Sequence, residues 1–262
     1  MSNNLNHYLK LWDLADPEPL AQTGTSNLYT VTYQTERVVL KLLTPAGDEE
    51  KHGAAALHHW NGQGAVRLFR FDDQAHLLEY ASGDDLTGLV KSGSDHEATT
   101  IIADVLNQLH SVPAEPPPAG VIPLNIWFRE LFNFASRDRS AGIDSIFTRG
   151  AALAEKLLAD PMDVRVLHGD IHHENIRHHP QRGWLAFDPK GLIGERTYDA
   201  ANTFCNPMKL PGLTENEARI LKTADLLADK LKIDRTRLLS FVFIYACLSA
   251  SWWLMVDHEP HH

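Results

Sequence analysis

The sequence predicts an α+β fold in two unequal lobes: a small β-rich N-terminal lobe over residues 1–80 and a larger, mainly helical C-terminal lobe over residues 81–262, hinged near 79–84. Three features predict it. Short β-type runs separated by polar turns fill the first third, apolar residues recur at helical spacing beyond Ala81-Ser82-Gly83, and one brief β section near Val164–Asp188 interrupts the helices. No internal repeat or low-complexity tract divides the chain further. Its 262 residues, 44% of them hydrophobic, suffice to bury a core of this size.

Leu28–Tyr33 and Val38–Leu43 flank the polar Gln34-Thr35-Glu36-Arg37, which predicts a hairpin. Glu49–Trp60 is alanine-rich and predicts a helix that Asn61-Gly62-Gln63-Gly64 ends. Val66–Phe71 and His76–Tyr80 predict two more strands around Asp72-Asp73. In the second lobe Ile101, Ile102, Val105, Leu106 and Leu109 mark an amphipathic helix, and the proline-rich 113–123 segment is a loop. Further helices are expected around Trp127–Ala135, Gly150–Ala159, Glu215–Lys232 and Arg235–Val256. The uncharged Leu238–Val256 approaches the ~20 residues that span a bilayer. Ser240, Tyr245, Ser249 and Ser251 interrupt it, and the reading is a buried core helix rather than a membrane segment.

A formal charge of -10 and a pI near 5.8 argue against nucleic acid, whose binding requires clustered Lys and Arg. A cationic small molecule suits the balance better. Cys205 and Cys247 lack metal-type spacing and suggest neither a disulfide framework nor a zinc site, which points to a reducing compartment. The stretch Met1–Pro19 carries Asp13, Asp16 and Glu18 and has no long apolar run, so no secretory signal is expected and the location is expected to be cytoplasmic. Oligomeric state is not legible.

The chemistry concentrates in Val166-Leu167-His168-Gly169-Asp170-Ile171-His172-His173-Glu174-Asn175-Ile176, where an Asp and an Asn five residues apart follow an apolar strand. Gly183-Trp184-Leu185-Ala186-Phe187-Asp188-Pro189-Lys190-Gly191 repeats the design, and the two strands are expected to deliver three oxygen-bearing side chains to one end of a hairpin. Phosphoryl transfer requires such a set. Mg²⁺ prefers hard oxygen ligands, here Asn175 and Asp188, and one further carboxylate, Asp170, orients the attacking hydroxyl and accepts its proton. On the strand Val38–Leu43, period two puts Lys41 on an apolar face with Val39 and Leu43, where a charge requires an anionic partner. A solvent-facing edge lysine is the alternative.

His168-Gly169-Asp170 with Asn175, followed by Asp188, resembles the catalytic and metal-binding motifs of the aminoglycoside phosphotransferase family. Gly64-Ala65-Val66-Arg67-Leu68, Leu77-Leu78-Glu79-Tyr80, and Gly194-Glu195-Arg196 through Tyr198-Asp199 to Asn206-Pro207 are similar to its streptomycin 6-kinase and hydroxyurea phosphotransferase branch. The likeness runs from Gln22 to Pro207. It implies a protein-kinase-like fold, ATP and Mg²⁺ as cofactors, and transfer of the γ-phosphate to a hydroxyl of a small, cationic acceptor. It also implies that Lys41 contacts ATP phosphates and pairs with a helix glutamate, Glu50 or alternatively Glu49. The loop Thr23-Gly24-Thr25-Ser26-Asn27 would cover the phosphates, with Ser26 as a hydroxyl donor, and the backbone at Glu79 and Ala81 would hold adenine. A protein kinase is disfavoured because Gly169 stands where Arg is usual, Pro189-Lys190 follows Asp188, and no Ala-Pro-Glu segment follows.

Acceptor-facing candidates are the acidic and polar Glu195, Tyr198, Asp199, Asp257 and Glu259, with a loop-bracing role open for Asp199. Three rival functions share the pattern: a kinase of another small metabolite, an inactive nucleotide-binding relative, and a metal-dependent hydrolase using His168, Asp170, His172 and His173.

Overall fold

The computed structural model describes residues 2–47 and 50–256. In its N-terminal part, helix α1 (Ser2–Leu11) precedes strands β1 (Leu14–Gln22), β2 (Ser26–Tyr33) and β3 (Glu36–Leu43), then helix α2 (Glu50–Trp60), β4 (Leu68–Phe71) and β5 (Ala75–Glu79). The five strands form one antiparallel sheet in the order β1-β2-β3-β5-β4. Strand β3 is buried on both faces. Val38, Leu40 and Leu42 pack outward with Tyr8, Trp12 and Leu77, while Val39 joins the core that continues into the second lobe.

The sequence reading missed α1 and β1. Pro17 and Pro19 remove two amide donors from β1, and its residues beyond Leu14 are exposed. Such a strand is tolerated only at a sheet edge, where one side needs no partners. Its register shifts twice, between Ala15 and Glu18 and between Pro19 and Ala21. Helix α1 buries Tyr8 against the sheet, with the Tyr8 hydroxyl donating to Asp72 at 2.8 Å.

Residues 80–86 lead into the helical part. It comprises α3 (Thr87–Lys91), α4 (Asp95–His110), β6 (Ile122–Pro123), α5 (Leu124–Trp127), α6 (Arg129–Ser140), α7 (Ile146–Ala159), β7 (Val164–Leu167), β8 (Ile176–His179), β9 (Gly183–Ala186), β10 (Leu192–Glu195), a 3₁₀ segment Arg196–Cys205, α8 (Pro211–Thr214), α9 (Glu217–Leu231) and α10 (Arg235–Val256). Side-chain caps mark two starts. Ser145 and Thr148 form a capping box at α7, and Asn216 accepts from the Arg219 amide at α9.

One expectation is corrected here. The strand that precedes Asp170 does not pair with the strand that delivers Asp188. Strand β7 pairs with β10 and β9 pairs with β8, in two separate small sheets. The residues between β7 and β8, including Gly169 with φ +79°, turn the chain from one sheet to the other.

Helix α10 is apolar along most of its length and long enough to cross a membrane by length and composition. Leu238, Phe241, Ile244, Tyr245, Leu248 and Ser251 are buried against the core, so this face is the interior helix that was expected. Its other face departs from the expectation, because Phe243, Trp253, Leu254 and Met255 are exposed.

Candidate active site

Between the sheet and the helical part lies a cleft of about 530 Å³, lined among others by Thr25, Ser26, Lys41, Glu50, Ala81 and Asp188. Its upper wall is the β3 face that carries Val39 and Lys41. The Lys41 ammonium lies 2.6 Å from Glu50 and 2.5 Å from Asp188, which joins sheet, helix α2 and the end of β9 at one point. Burial alone would lower the Lys41 pKa, but the Asp188 and Glu50 carboxylates raise it above its ordinary value. Burial likewise opposes ionisation of Asp188, and Lys41 overrides it and depresses the carboxyl. Glu50 is thus the partner among the described residues, and the alternative Glu49 lies outside them.

Helix α2 reaches this position by close backbone contact. A Cβ at Gly53 would stand 2.3 Å from the Pro189 carbonyl oxygen, and one at Gly191 would stand 1.9 Å from that of His52. The Gly53-Ala54-Ala55-Ala56 run therefore lets the helix lie directly on the Asp188-Pro189-Lys190-Gly191 segment. Gly53→Ala is expected to cost about 1–3 kcal/mol of stability by overpacking and to weaken the Lys41–Glu50 contact. Urea unfolding with m unchanged measures the first effect, and a rise in the KM for ATP measures the second.

On the floor, Asp170 sits half-buried after β7. Its Oδ1 accepts from Asn202 Nδ2 at 2.7 Å, and Asn175 Nδ2 donates to the Asp170 carbonyl at 2.9 Å. Because its amide nitrogen is engaged there, Asn175 keeps its side-chain oxygen as a hard ligand for a cation. The Asn175 carbonyl accepts the Phe187 amide at 3.0 Å, which holds the Asn175 and Asp188 backbones side by side. Lys190 lies 4.0 Å from Asp170 Oδ2, the nearest cation to that carboxylate among the described residues. Sequence reasoning passed over Lys190 and Asn202; the only available signal was their place beside motifs already singled out.

His168 is fully buried and holds the loop. Its Nε2–H donates to the Phe187 carbonyl at 2.9 Å, and its Nδ1 accepts the Asp170 amide at 3.3 Å. Burial keeps its pKa below the ordinary value and the ring neutral. Beneath it, Asp199 accepts the amides of His168 (2.9 Å) and Gly169 (2.7 Å) and the Nε2–H of His110 (2.9 Å).

A family model of aminoglycoside/hydroxyurea antibiotic resistance kinases matches residues 11–257. The chain belongs to this family. It is 39% identical over 250 residues to a streptomycin 3''-kinase of Klebsiella pneumoniae, spanning 94% of this chain and 91% of that protein. It is 30% identical over 210 residues to a streptomycin 6-kinase of Streptomyces griseus, spanning 77% of this chain and 66% of that protein. Among solved structures, an aminoglycoside phosphotransferase in ternary complex with AMP-PNP and hygromycin B superposes with a TM-score of 0.63 at 13% identity, covering 98% of this chain and 92% of that one. The fold is protein-kinase-like, and as a member of this kinase family the chain is a small-molecule phosphotransferase with a hydroxyl acceptor.

Within this kinase the remaining candidates divide. Ser26 lines the cleft, but its hydroxyl is buried and hydrogen-bonded to Thr23 at 3.0 Å; Thr25 is the loop residue that reaches Glu50, at 2.9 Å. Ala81 lines the cleft. Glu79 does so at the end of β5, yet its carboxylate accepts the Arg67 amide at 2.9 Å and pairs with Arg182, and its own amide donates to the Arg67 carbonyl at 2.9 Å, so neither group is open to a nucleotide. Glu195 is buried with both oxygens 2.6 Å from Arg237 and a further bond from the Met162 amide, which takes it out of the acceptor site. Tyr198 is packed among Phe128, Phe241 and Tyr245, with its hydroxyl accepting from Trp127 Nε1 at 2.8 Å. Asp199 braces the catalytic loop instead of facing an acceptor. Asp257 and Glu259 lie outside the described residues.

The hydrolase alternative fails on geometry. Both ring nitrogens of His168 serve the loop, and His172 Nδ1 accepts the Glu174 amide at 3.3 Å. His173 is fully buried, and among the described residues no three His, Cys, Asp or Glu side chains converge as a metal-ligating group.

Two buried histidines make this fold acid-sensitive. Burial, reinforced by nearby Lys41, lowers the pKa of His76 from 6.5 to about 4, and burial with Arg219 does the same for His173. Both are neutral in the fold, so the unfolded chain binds protons first as pH drops. The stability they sustain is complete above pH 6.5 and is lost toward pH 4, up to about 3 kcal/mol for each. Melting temperature is expected to fall between pH 7 and 5, and His173→Leu to flatten that slope, since neither ring nitrogen has a hydrogen-bond partner to lose.

Proposed function

We propose that this chain transfers the γ-phosphoryl group of Mg²⁺-ATP to a hydroxyl of a streptomycin-like, cationic aminoglycoside. The observation that carries the reading is the contact chain by which three separate stretches of chain meet: Lys41 pairs with Asp188 in the cleft, the Phe187 amide bonds the Asn175 carbonyl, and the Asn175 side chain bonds the Asp170 carbonyl. The oxygens of Asn175 and Asp188 suit a hard divalent cation, which neutralises phosphate charge when bound. In this reading Lys41 contacts the non-transferred phosphates. Asp170 accepts the proton of the acceptor hydroxyl as that oxygen bonds to the γ-phosphorus and ADP departs with the bridging oxygen. The transition state is loose, so positioning and charge neutralisation carry most of the catalysis. Acidic composition, the Glu174 carboxylate at the cleft and the Asp170 carboxylate beside the cleft residue Lys190 favour a cationic acceptor.

Likeness to the 3''-kinase, at 39% identity, exceeds that to the 6-kinase, at 30%, and supports the 3''-hydroxyl as the site of transfer. Hydroxyurea is the second reading, favoured by the family's description. The test is incubation with Mg²⁺-ATP and a panel of streptomycin, other aminoglycosides and hydroxyurea, followed by product mass and phosphorus–proton NMR. A streptomycin product heavier by one phosphoryl group, coupled at the 3'' position, is expected. Turnover of hydroxyurea alone, or of neither compound, discards the streptomycin reading.

A further inference from the structure

The carboxylate placed as the base is held by a hydrogen-bond chain that reaches it from below. Asn206 Nδ2 donates to the backbone carbonyl of Asn202 at 3.0 Å, which fixes the orientation of the Asn206 amide, since a carbonyl can only accept. The same nitrogen donates to Asn202 Oδ1 at 2.8 Å. Tyr245, from the centre of α10, donates its hydroxyl to that Oδ1 at 2.6 Å. With two donors on its oxygen, the Asn202 amide has one orientation, and its nitrogen faces Asp170 Oδ1 at 2.7 Å. Flipping it would set an oxygen against a carboxylate and an NH₂ against the NH₂ of Asn206.

Every proton in this chain therefore points toward Asp170. Asn202, Asn206 and Tyr245 are all buried, where a misdirected polar group is costly. Burial, with the negative charge of Asp170 nearby, raises the Tyr245 pKa well above the ordinary phenol value, so the hydroxyl keeps its proton and remains a donor. The far end is anchored by Arg219, which donates to the Asn206 carbonyl at 3.1 Å while paired to Asp95. Helices α4, α9 and α10 and the 3₁₀ segment all bear on one carboxyl oxygen.

We propose that Asn202, locked by Tyr245 and Asn206, is the positioning residue that fixes Asp170 for catalysis: Oδ1 is immobilised as an acceptor of the Asn202 N–H, leaving Oδ2 to take the proton of the acceptor hydroxyl. The proposal rests on the reading of Asp170 as the base. Asn175 Nδ2, at 3.4 Å, and Lys190, at 4.0 Å, flank Oδ2 without closing it off. The proton moves from the acceptor hydroxyl to Oδ2, and Asn202, Asn206 and Tyr245 keep theirs.

The test compares Asn202→Ala, Asn202→Asp, Tyr245→Phe and Asp170→Asn in steady-state kinetics, with AMP-PNP affinity measured by calorimetry. Asn202→Ala is expected to lower kcat about 100-fold, the scale of a misplaced reacting group, with the KM for both substrates and AMP-PNP affinity within about threefold of the parent. Asn202→Asp preserves shape and still accepts from Tyr245 and Asn206 but sets a second carboxylate against Asp170, where repulsion or a shared proton disables the base, so it is expected to lose at least as much kcat. Tyr245→Phe, which lacks one of the two locks, is expected to lose about tenfold. A folded Asn202→Asp or Tyr245→Phe with parental kcat overturns the proposal, as does a loss confined to melting temperature. If Asp170→Asn is inactive while the Asn202 variants are not, the base assignment stands and the positioning role fails; an active Asp170→Asn removes the base assignment itself.

Discussion

Asp170→Ala is expected to reduce kcat by about 10²- to 10⁴-fold, the span of general-base contributions, with little change in nucleotide affinity. The separation of effects follows from where the groups sit. The proposed nucleotide contacts come from the sheet, helix α2 and the hinge, whereas Asp170 follows β7 and is held by Asn202 and Asn175. Removing its carboxylate leaves the Lys41–Glu50 and Lys41–Asp188 contacts intact. The nearest cation, Lys190, loses its counter-charge, so the local field becomes more positive and ATP binding is not impaired. Single-turnover phosphoryl transfer alongside AMP-PNP titration reads the two quantities separately. A variant that retained parental transfer rates would show that the acceptor loses its proton to another group, and the mechanism would have to be redrawn.

The second large effect is structural. Asp199→Ala is expected to cost about 3–5 kcal/mol of folding free energy, because it leaves two backbone amides and the Nε2–H of His110 buried without an acceptor. All three donors lie within 2.9 Å of the Asp199 carboxylate. A carboxylate can only accept, so the His110 Nε2–H is the donor toward Asp199, and the Nδ1 has no hydrogen-bond partner among the described residues. Burial works against ionisation of Asp199, and the His110 hydrogen bond, nearby His168 and the Gly169 amide together hold the carboxyl below its usual range. Its contribution is present above the unfolded carboxyl pKa and is lost as pH falls through the depressed folded value, below the window in which His76 and His173 titrate. Urea unfolding at pH 7 measures the loss. Asp199→Asn, which keeps the shape but replaces an acceptor with a donor facing other donors, is expected to fare nearly as badly; a parental midpoint for both variants would refute the bracing role.

The same residues show how unevenly a site is legible in a sequence. Asp170, Asn175 and Asp188 stood out as candidates because phosphoryl transfer demands oxygen ligands, and these occur at short spacing after apolar strands. Lys41 was recognisable because period two put a charge on an apolar face. Glu195 and Tyr198 misled for the converse reason: an acidic and a phenolic side chain look alike in sequence whether they face a ligand or a buried partner, and Arg237 lies 42 residues from Glu195. Asn202 and Tyr245, 43 residues apart, gave no sign in the sequence that they would meet.

By itself, then, the order of amino acids determined the two-lobe division, most of the strands and helices, and the loop motifs that name the chemistry, because each depends on spacings of a few residues along one stretch of chain. Strand partners, the exposed face of α10, the edge strand with its two prolines, and the distinction between acids that meet a ligand and acids that brace the fold were decided only by tertiary structure. Those depend on which distant segments are brought together, and both the hydrogen-bond satisfaction and the charge compensation that settle them are properties of the packed site rather than of any one residue.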